Sequence, residues 1–370
     1  MSKLFPLYEE SQRRFSAQTE YLGSDKPVNR IQPLVSVCVA TYQHGGFIAQ
    51  CLDGALMQKT SFPYEIIVGE DESTDETRAI CIDYADRYPD KIRLFLRSRT
   101  LSTWNDNGKT RPFNGIWCRR SARGKYVAIC EGDDYWTDPE KLQKQVDYLE
   151  AHPECGLCFH NVGIEDSTGH YTGKPTYAHN CRRLPLERDA TFTIADTFPG
   201  GLIPTCSVVL RNEQDIRNPP DFFYRTLTGD WLLWLLTCKD RTMFYFHRPM
   251  AVYRPTTTGM AHALRQNWNA VYRDRVRMLL ALDRYWGYRL HATIAPSLRN
   301  YIELLPPGRT SVEAYARYVL AQPLEGTKFA VNHASQKARE RLRLVKSRLY
   351  RRPATAAHPG PPSRGPQTPP

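Results

Sequence analysis

Short apolar runs alternate with helix-spaced apolar positions along the first half of the chain. Four of the runs are typical of buried β-strands, because they are short, largely apolar and bounded by polar, proline or glycine residues. They are Leu34–Ala40, Tyr64–Gly69, Ile92–Leu96 and Lys125–Cys130. Between them, as over 48–56 and 79–85, apolar residues recur at helical spacing. Strands that alternate with helices predict parallel βαβ units, so the expected fold class is α/β with a mostly parallel sheet flanked by helices.

The second half of the chain carries further patterns, separated by irregular stretches. Residues 97–115 are polar without periodicity and are expected to form a loop, and 165–205 are irregular. Later strands are predicted at Gly156–Phe159, Thr205–Leu210, Met243–Phe246 and Met250–Arg254, with an apolar helix over Trp231–Cys238. Helical spacing returns over 266–330, where Trp268 belongs to the predicted packing face.

These patterns divide the chain into five predicted segments. They are an N-terminal extension (1–32) on the outside of the domain, the α/β domain (33–262), a C-terminal helical region (263–330), a basic amphipathic helix (331–352) and a disordered Pro-rich tail (353–370). No apolar run approaches the ~20 residues of a membrane-spanning helix, and no signal peptide is visible. A cytoplasmic location is therefore expected.

Composition and charge narrow the picture further. Hydrophobic residues make up 41% and charged residues 24%, which excludes global disorder and a fibrous repeat. From Lys337 to Arg352, eight Lys/Arg and one acid give +7, which leaves only +4 of the net +11 for the rest. Leucines interleave with these charges, so this helix either contacts an anionic membrane peripherally or is simply solvated.

The ten cysteines show no paired spacing except Cys155 and Cys158. One Cys-x-x-Cys without a second pair is weak evidence for a metal site, so both are expected to be core residues. This usage indicates a reducing compartment.

Acidic residues follow two of the predicted strands. Asp71 comes after Tyr64–Gly69, and Asp133 and Asp134 come after Lys125–Cys130. Since ligands of such sheets bind beyond the carboxyl ends of the strands, these residues are expected to converge at one edge. A divalent cation offsets the repulsion between carboxylates, and Mg²⁺ combines one or two of them with phosphate oxygens and water. The alternative is that Asp133 and Asp134 cap the next helix or line a solvated turn.

Four motifs in order resemble glycosyltransferase family 2 over roughly residues 33–255. They are Val35–Gln43, Tyr64–Asp75, Gly124–Trp136 and Gly229–Trp231. The third looks like that of a bacterial subset carrying Glu-Gly-Asp-Asp-Tyr-Trp. The resemblance implies a GT-A fold, a Rossmann-like sheet whose first half binds a nucleotide-sugar donor, over residues 33–262.

The resemblance also implies roles for matching donor-site residues. Tyr42, with Ala40 at the end of the first strand, would border the nucleobase, and Asp71 would hydrogen-bond it. Asp133 and Asp134 would meet the ribose, the diphosphate and its Mg²⁺ or Mn²⁺, with the choice of metal ligand between them left open.

Asp230 is the residue that the resemblance assigns as the general base. An acceptor hydroxyl is a poor nucleophile until a carboxylate within hydrogen-bond reach takes its proton. One base and direct in-line attack give inversion at the anomeric carbon, without a covalent intermediate. The alternative for Asp230 is an N-cap of the apolar helix that follows it, and one residue can do both.

The sequence departs from the family pattern at several positions. Glu70 and Glu72 replace the commoner Asp and Gly, and Ala40 stands where many relatives have Pro or Thr. Many relatives carry a His soon after the Tyr-Arg that is found here at 253–254, but His262 is displaced and is not assigned to a metal.

The expected function is therefore transfer of a sugar from a metal-bound nucleotide-diphosphate sugar to a glycan or lipid-linked glycan acceptor, in surface polysaccharide synthesis. A nucleotidyltransferase on a similar fold is the enzymatic alternative. It would be expected to show a Gly-rich phosphate loop and a Lys after the first strand, and residues 40–44 show neither. A protein that uses its basic tail to bind an anionic surface or nucleic acid is the non-enzymatic alternative. Nucleic acid is not an expected partner, because the predicted cleft is acidic and the basic charge is confined to the tail.

Overall fold

The computed structural model describes residues 7–23, 31–106, 109–165, 188–198, 203–227, 229–256, 262, 264 and 266–306. The predicted amphipathic helix 331–352 and the tail 353–370 lie outside the described residues, as do most of 165–187 and the helical region beyond 306. The predicted membrane contact and cytoplasmic location therefore stay predictions.

Helices and strands alternate through the described part of the chain. The helices are α1 (Leu7–Phe15), α2 (Ile48–Leu56), α3 (Thr77–Arg87), α4 (Arg99–Ser102), α5 (Asn114–Ser121), α6 (Lys141–Ala151), α7 (Gln214–Arg217), α8 (Gly229–Thr237), α9 (Trp268–Tyr285) and α10 (His291–Leu304). The strands are β1 (Glu20–Tyr21), β2 (Val35–Thr41), β3 (Tyr64–Glu70), β4 (Ile92–Leu96), β5 (Thr103–Asp106), β6 (Lys109–Pro112), β7 (Tyr126–Ile129), β8 (Tyr135–Trp136), β9 (Cys155–Ile164), β10 (Ala190–Phe192), β11 (Val209–Arg211) and β12 (Thr242–Tyr253).

Within the described residues, the main sheet has ten strands, with the order β1-β4-β3-β2-β7-β11-β9-β12-β10 and β8 paired to β12. Strands β4, β3, β2 and β7 pair in parallel, and so do β9 and β12. Strand β11 runs antiparallel between β7 and β9, which keeps β9 and β12 in the direction of the first block. The predicted α/β, GT-A-like fold with a mostly parallel sheet is confirmed, although the sheet is mixed.

The strand order reverses between β2 and β7. From β2 the chain builds β3 and β4 on one side, and it then returns to place β7 against the other side of β2. In open α/β sheets, ligands bind in the crevice outside the carboxyl ends of the strands at this reversal. The crevice is therefore expected beside Thr41, at the end of β2, and beside the residues that follow Ile129.

The core forms because alternate strand residues point to opposite faces of the sheet. On one face, Val37 and Val39 are fully buried in a cluster with Leu52 of α2 and Val146 of α6. On the other face, α5 packs against β2 and β3, and its Cys118 thiol approaches the carbonyl of Val39 at 3.7 Å. Because helices cover both faces of the sheet, the residues of its strands are apolar at nearly every position.

The N-terminal segment contributes to the fold on the outside of the sheet. Strand β1 pairs antiparallel with β4, with Tyr21 opposite Leu94. The indole nitrogen of Trp117 in α5 donates to Ser11 Oγ of α1 at 3.1 Å, and Arg14 donates to the carbonyl of Thr103 at 2.7 Å. Among the described residues, no helix is long and apolar enough to cross a bilayer.

Three local predictions differ from the structure. Residues 97–115 contain α4 and the paired strands β5 and β6 rather than only a loop. Nothing in the sequence indicated these strands, because their residues show no apolar periodicity. A 3-10 turn covers Thr205–Ser207, so strand β11 begins later than predicted. The two predicted strands after residue 242 are one strand, β12, whose pairing is shifted around Pro249, since proline has no N–H to donate.

A buried carboxylate joins β3 to its neighbours, and we expect its removal to destabilise the fold. Glu65 has no exposed surface and accepts hydrogen bonds from Ser36 Oγ at 2.6 Å, Arg93 Nη1 at 3.3 Å and Arg123 Nε at 2.9 Å. Glutamine removes the negative charge that pairs with Arg93 and Arg123 and leaves one accepting oxygen where the carboxylate had two. Glu65→Gln should therefore lower the free energy of unfolding by about 2 kcal/mol, measured by urea denaturation.

The matched control is Glu150→Gln, which removes an exposed carboxylate that pairs with Lys125 at 2.8 Å. Exposed pairs contribute little, so this variant should stay within about 1 kcal/mol of the unchanged protein. Equal stabilities of the two variants would show that the Glu65 network does not hold the strands together.

Candidate active site

The turn after β2 is held by the Ser-Thr-Asp stretch that follows β3. Gln43 takes the left-handed conformation, with φ of 57°, and its N–H donates to Ser73 Oγ at 3.0 Å. The N–H of Gly45 donates to Asp75 Oδ2 at 2.8 Å. The side chains of this stretch therefore fix the conformation of the turn. Tyr42, in the same turn, is 38% exposed at the edge of the sheet.

Asp71 and Tyr42 lie close together because a third residue, Arg99, joins them. The Arg99 guanidinium lies 3.9 Å from the centre of the Tyr42 ring and donates to Asp71 Oδ2 at 2.8 Å. Ser102 donates to the other carboxylate oxygen of Asp71. Burial raises the pKa of Asp71, while the bonds from Ser102 and Arg99 oppose that rise. The two predicted nucleobase residues thus share a surface with a cation that the sequence reasoning missed.

Glu72 stands where the family pattern has a glycine, and its side chain has a structural role at this position. Its φ is 61°, in the left-handed region that favours glycine. Its carboxylate accepts from the backbone N–H of Arg99 at 2.7 Å and from Ser98 Oγ at 3.3 Å. The Glu72 side chain therefore fixes the start of α4, and with it the position of Arg99, at the cost of a strained backbone.

The turn after β7 reaches the end of β2 through Gly132. The N–H of Gly132 donates to the carbonyl of Ala40 at 3.1 Å. A Cβ at this position would lie 2.5 Å from Thr41 Oγ1 and 2.8 Å from His44 Nδ1, so only glycine fits. The close approach brings Asp133 Oδ2 to 3.9 Å from His44 Nε2. Ala40 thus acts through its backbone. Both acidic stretches adjoin the end of β2, because the N–H of Asp71 donates to the carbonyl of Thr41 at 3.1 Å.

Asp133 and Asp134 differ sharply in their surroundings. The side chain of Asp133 keeps 17% of its surface exposed, whereas residue Asp134 is only 2% exposed. Asp134 Oδ1 accepts the backbone N–H of Arg254 at 2.9 Å, and burial together with the charges of Asp133 and Glu131 raises its pKa well above the usual range. Asp134 is therefore a buried structural acceptor, and Asp133 is the carboxylate that can meet a ligand.

Glu131 connects the acidic turn with Asp230. Burial and the negative charges of Asp133 and Asp230 raise the pKa of Glu131 to about 8, while Arg119 acts in the opposite direction. A raised pKa from this cause requires Asp230 to lie within electrostatic range of the turn, almost a hundred residues earlier in the chain. The charge of Asp230 therefore acts on the acidic turn.

Asp230 lies in the first turn of α8, whose following residues are deeply buried. Its carboxylate accepts from the N–H of the next residue, Trp231, at 2.7 Å rather than from the second or third N–H that an N-cap serves. Asp230 is exposed to solvent, yet the protein around it removes enough water to raise its pKa, with Arg275 opposing the rise. Solvent access with partial desolvation is what the wall of a cleft provides.

Several residues at this site had little or no signal in the sequence. Arg254 is the arginine of the recognised Tyr-Arg pair, and Glu131 stands inside a recognised motif, but neither was assigned a role. His44 and Arg119 had no pattern that set them apart from surface residues. Arg99 lay in a stretch expected to be a loop.

The carboxylates were tested for their fit to the predicted Mg²⁺ or Mn²⁺. Among the described residues, no group of three or more His, Cys, Asp or Glu side chains could hold a metal ion. Asp134 already serves a backbone N–H, which leaves Asp133 as the accessible carboxylate. Since Mg²⁺ is commonly held by one or two carboxylates plus phosphate oxygens and water, these residues fit a cation that binds together with a diphosphate.

Comparisons with known proteins find glycosyltransferases among the similar sequences. The sequence profile described as Glycosyl transferase family 2 matches residues 36–212. An uncharacterized protein of Mycobacterium tuberculosis is 32% identical over 271 residues, which cover 73% of this chain and 68% of that protein. TuaG of Bacillus subtilis, named as a glycosyltransferase of teichuronic acid biosynthesis, is 26% identical over 253 residues, covering 67% of this chain and 90% of its own. The crystal structure of Staphylococcus aureus TarS 1–349 with UDP-GlcNAc aligns with a TM-score of 0.47 and 16% identity, over 82% of this chain and 91% of that one.

Proposed function

Since the chain belongs to glycosyltransferase family 2, we propose that it is an inverting glycosyltransferase that uses a metal-bound nucleotide-diphosphate sugar. The acceptor is a hydroxyl of a glycan or a lipid-linked glycan. The observation that carries the proposal is the meeting of the turn after β7 with the end of β2, where Gly132 donates to the carbonyl of Ala40 at 3.1 Å and Asp133 lies 3.9 Å from His44. It supports a diphosphate site at Asp133, and the negative charge of Asp230, which helps to raise the pKa of Glu131, supports a proton acceptor beside it.

The donor side of the proposal rests on the edge formed by β2, β3 and β7. Tyr42 offers an exposed aromatic ring to a nucleobase, and Arg99 offers hydrogen-bond donors beside it. Asp71 is buried and holds Arg99 in place through its carboxylate. Asp133 would hold Mg²⁺ or Mn²⁺ jointly with the diphosphate. When bound, the cation supplies positive charge that stabilises the departing diphosphate.

The acceptor side of the proposal rests on Asp230. The acceptor hydroxyl oxygen attacks the anomeric carbon, the bond from that carbon to the diphosphate oxygen breaks, and the hydroxyl proton passes to Asp230. The nucleoside diphosphate leaves with the bonding electron pair, and the configuration at the anomeric carbon inverts. Partial desolvation makes Asp230 a stronger base than an ordinary aspartate, which suits proton removal near neutral pH.

A polysaccharide pathway is the setting that we propose for this reaction. The relative TuaG is named for teichuronic acid biosynthesis, which supports a polymeric acceptor. Tyr42 and Arg99 suit any nucleobase, since one offers an aromatic ring and the other offers hydrogen-bond donors.

Calorimetry with UDP and GDP, each with and without Mn²⁺, tests the proposal on the full chain. We expect one nucleoside diphosphate to bind in a metal-dependent manner, and a panel of nucleotide sugars then identifies the donor by slow hydrolysis. A nucleotidyltransferase would instead bind nucleoside triphosphates and release pyrophosphate. Salt-sensitive RNA or DNA binding without diphosphate binding would contradict the proposal.

The pH dependence of turnover should follow the pKa of Asp230 and the effect of Arg275 on that pKa. Activity requires the ionised carboxylate, so kcat falls as the pH drops through the pKa of Asp230, which lies above that of an ordinary aspartate. Arg275 lowers that pKa. Arg275→Met should therefore move the acidic limb of the kcat profile upward by about one pH unit.

The control is Arg277→Met, which removes an exposed charge on the same helix and should leave the acidic limb in place. Arg275→Lys keeps the positive charge and should return most of the shift. An unchanged acidic limb in Arg275→Met would separate Asp230 from the titration that limits turnover.

A further inference from the structure

One face of α9 runs from an exposed tryptophan to the neighbourhood of Asp230. Asn267 caps the helix by accepting the N–H of Ala270 at 3.0 Å, which fixes where α9 starts. Trp268, Tyr272 and Arg275 follow at positions i, i+4 and i+7, so they share one face.

Four aromatic rings form a continuous series of contacts that starts on this face of α9 and continues into α10 and α8. Trp268 and Tyr272 lie 6.0 Å apart with an interplanar angle of 27°, and Tyr272 lies 6.1 Å from Tyr301 of α10 at 30°. Tyr301 in turn meets Trp231 edge-to-face at 6.4 Å. Each ring packs against the next, so one face of Trp268 rests on Tyr272, whose own ring rests on the buried Tyr301.

The buried end of the series is tied to the candidate base. Trp231 directly follows Asp230, and the Arg275 guanidinium lies 5.4 Å from the Trp231 ring. Asp274 of α9 accepts the N–H of Leu227, three residues before Asp230, at 2.8 Å. Helix α9 and the start of α8 are therefore fixed to each other on the acceptor side of the cleft.

The outer end of the series does not behave as core. Trp268 is 51% exposed, whereas Trp231 and Tyr301 are 3% and 2% exposed. Tyr272 covers part of the Trp268 ring and leaves a large apolar surface in water. An exposed, rigidly oriented tryptophan is a feature of binding surfaces, because it offers a large contact area with little conformational entropy to lose.

We propose that Trp268 is an acceptor subsite, on which a sugar ring of the acceptor glycan stacks. This inference rests on the proposed function. One face of a pyranose carries C–H groups, and their slight positive charge suits the negative face of an aromatic ring. The hydroxyls at the edge of the sugar stay in contact with water, so stacking costs little desolvation.

The position of Trp268 indicates which unit of the acceptor it holds. Seven residues of helix separate Trp268 from Arg275, a distance of ~10 Å along the axis. A sugar on Trp268 is therefore remote from the hydroxyl that reacts at Asp230. The occupant to which we commit is an oligosaccharide or longer glycan, rather than a monosaccharide, a second copy of the chain or a membrane.

The test uses the full chain labelled with 5-fluorotryptophan, whose seven tryptophans give separate ¹⁹F resonances. The Trp268 resonance is assigned by its loss in Trp268→Phe. Cellotetraose, maltotetraose, chitotetraose and mannotetraose serve as probes, and sorbitol serves as a control with hydroxyls but no ring face. We expect at least one tetrasaccharide to shift the Trp268 resonance selectively, its monosaccharide to do so at least tenfold more weakly, and sorbitol to have no effect.

The kinetic counterpart uses the tetrasaccharide that shifts the resonance as acceptor. Trp268→Ala should raise the acceptor KM at least tenfold with kcat little changed, and Trp268→Tyr should recover part of the loss. Tyr285→Ala is the matched control, because Tyr285 is 47% exposed at the opposite end of the same helix and should leave KM unchanged.

Each other result overturns the inference. Shifts of the Trp268 resonance with protein concentration alone would identify a second copy as the occupant, and shifts with phosphatidylglycerol vesicles alone would identify a membrane. No response to any tetrasaccharide, or equal KM values in Trp268→Ala and the unchanged protein, would remove Trp268 from acceptor binding. Metal-dependent binding of UDP or GDP is measured on the same samples, so a failure of the proposed function is recognised separately.

Discussion

Replacing Asp230 by asparagine is expected to lower kcat about 10³-fold, in the middle of the range that a positioned general base contributes. Asparagine has nearly the same shape and can still accept the N–H of Trp231, so the start of α8 should keep its geometry. It cannot take the proton of an acceptor hydroxyl. Turnover is measured as release of nucleoside diphosphate in the presence of donor and acceptor.

The affinity for the nucleoside diphosphate separates a lost base from a damaged site. Asp230 makes no described contact with Tyr42 or Asp71, and it raises the pKa of Glu131 by its charge. Calorimetry of Asp230→Asn should therefore show diphosphate binding equal to, or slightly tighter than, that of the unchanged protein. Asp240→Asn, at an exposed position beyond the end of α8, is the control and should keep full turnover. A kcat within tenfold of normal in Asp230→Asn would remove this residue from the mechanism.

The strands that build the donor side were predictable because burial leaves them few alternatives. Strand β3 is buried at every position, and β2 is buried at all but Ala40, so both read as short apolar runs. Parallel pairing then requires the residues after β2, β3 and β7 to meet at one edge. The positions of Tyr42, Asp71 and Asp133 followed from this topology together with the family resemblance.

The residues supplied by irregular segments could not be predicted in the same way. Arg99 reaches Asp71 because Glu72 binds the backbone that precedes α4, and nothing in the spacing of residues 97–115 indicates that contact. Strands β5 and β6 pair with each other and are largely polar, so their residues show no alternation of apolar and polar positions. Contacts of this kind depend on tertiary geometry rather than on local propensity.

For α9, the spacing of apolar residues predicted the helix correctly but did not predict how exposed Trp268 would be. The helical spacing placed Trp268 on a packing face, and it does stack on Tyr272. The structure nevertheless leaves half of its surface in water. Periodicity identifies the face of a helix, but it does not show how far along the helix the covering elements extend.

The two adjacent aspartates of the acidic turn are expected to give opposite results when each is changed to asparagine. Asp133→Asn should weaken Mn²⁺-dependent binding of the nucleoside diphosphate more than about 100-fold, because loss of even an outer-shell partner of a metal typically costs 10–100-fold. The residual binding should no longer depend on Mn²⁺. The accessible carboxylate of Asp133, beside His44, is the reason for this expectation. Calorimetry with and without Mn²⁺ measures both effects.

Asp134→Asn is the matched control at the neighbouring position. Its raised pKa favours the protonated, uncharged form of Asp134, which an asparagine imitates, and an amide oxygen can still accept the N–H of Arg254. This variant should therefore fold normally and keep Mn²⁺-dependent binding within a few-fold. The reverse pattern, with binding lost in Asp134→Asn and kept in Asp133→Asn, would assign the metal to the buried carboxylate. Binding of the donor would then require the acidic turn to open far enough for a carboxylate oxygen of Asp134, which is 2% exposed, to reach the cation.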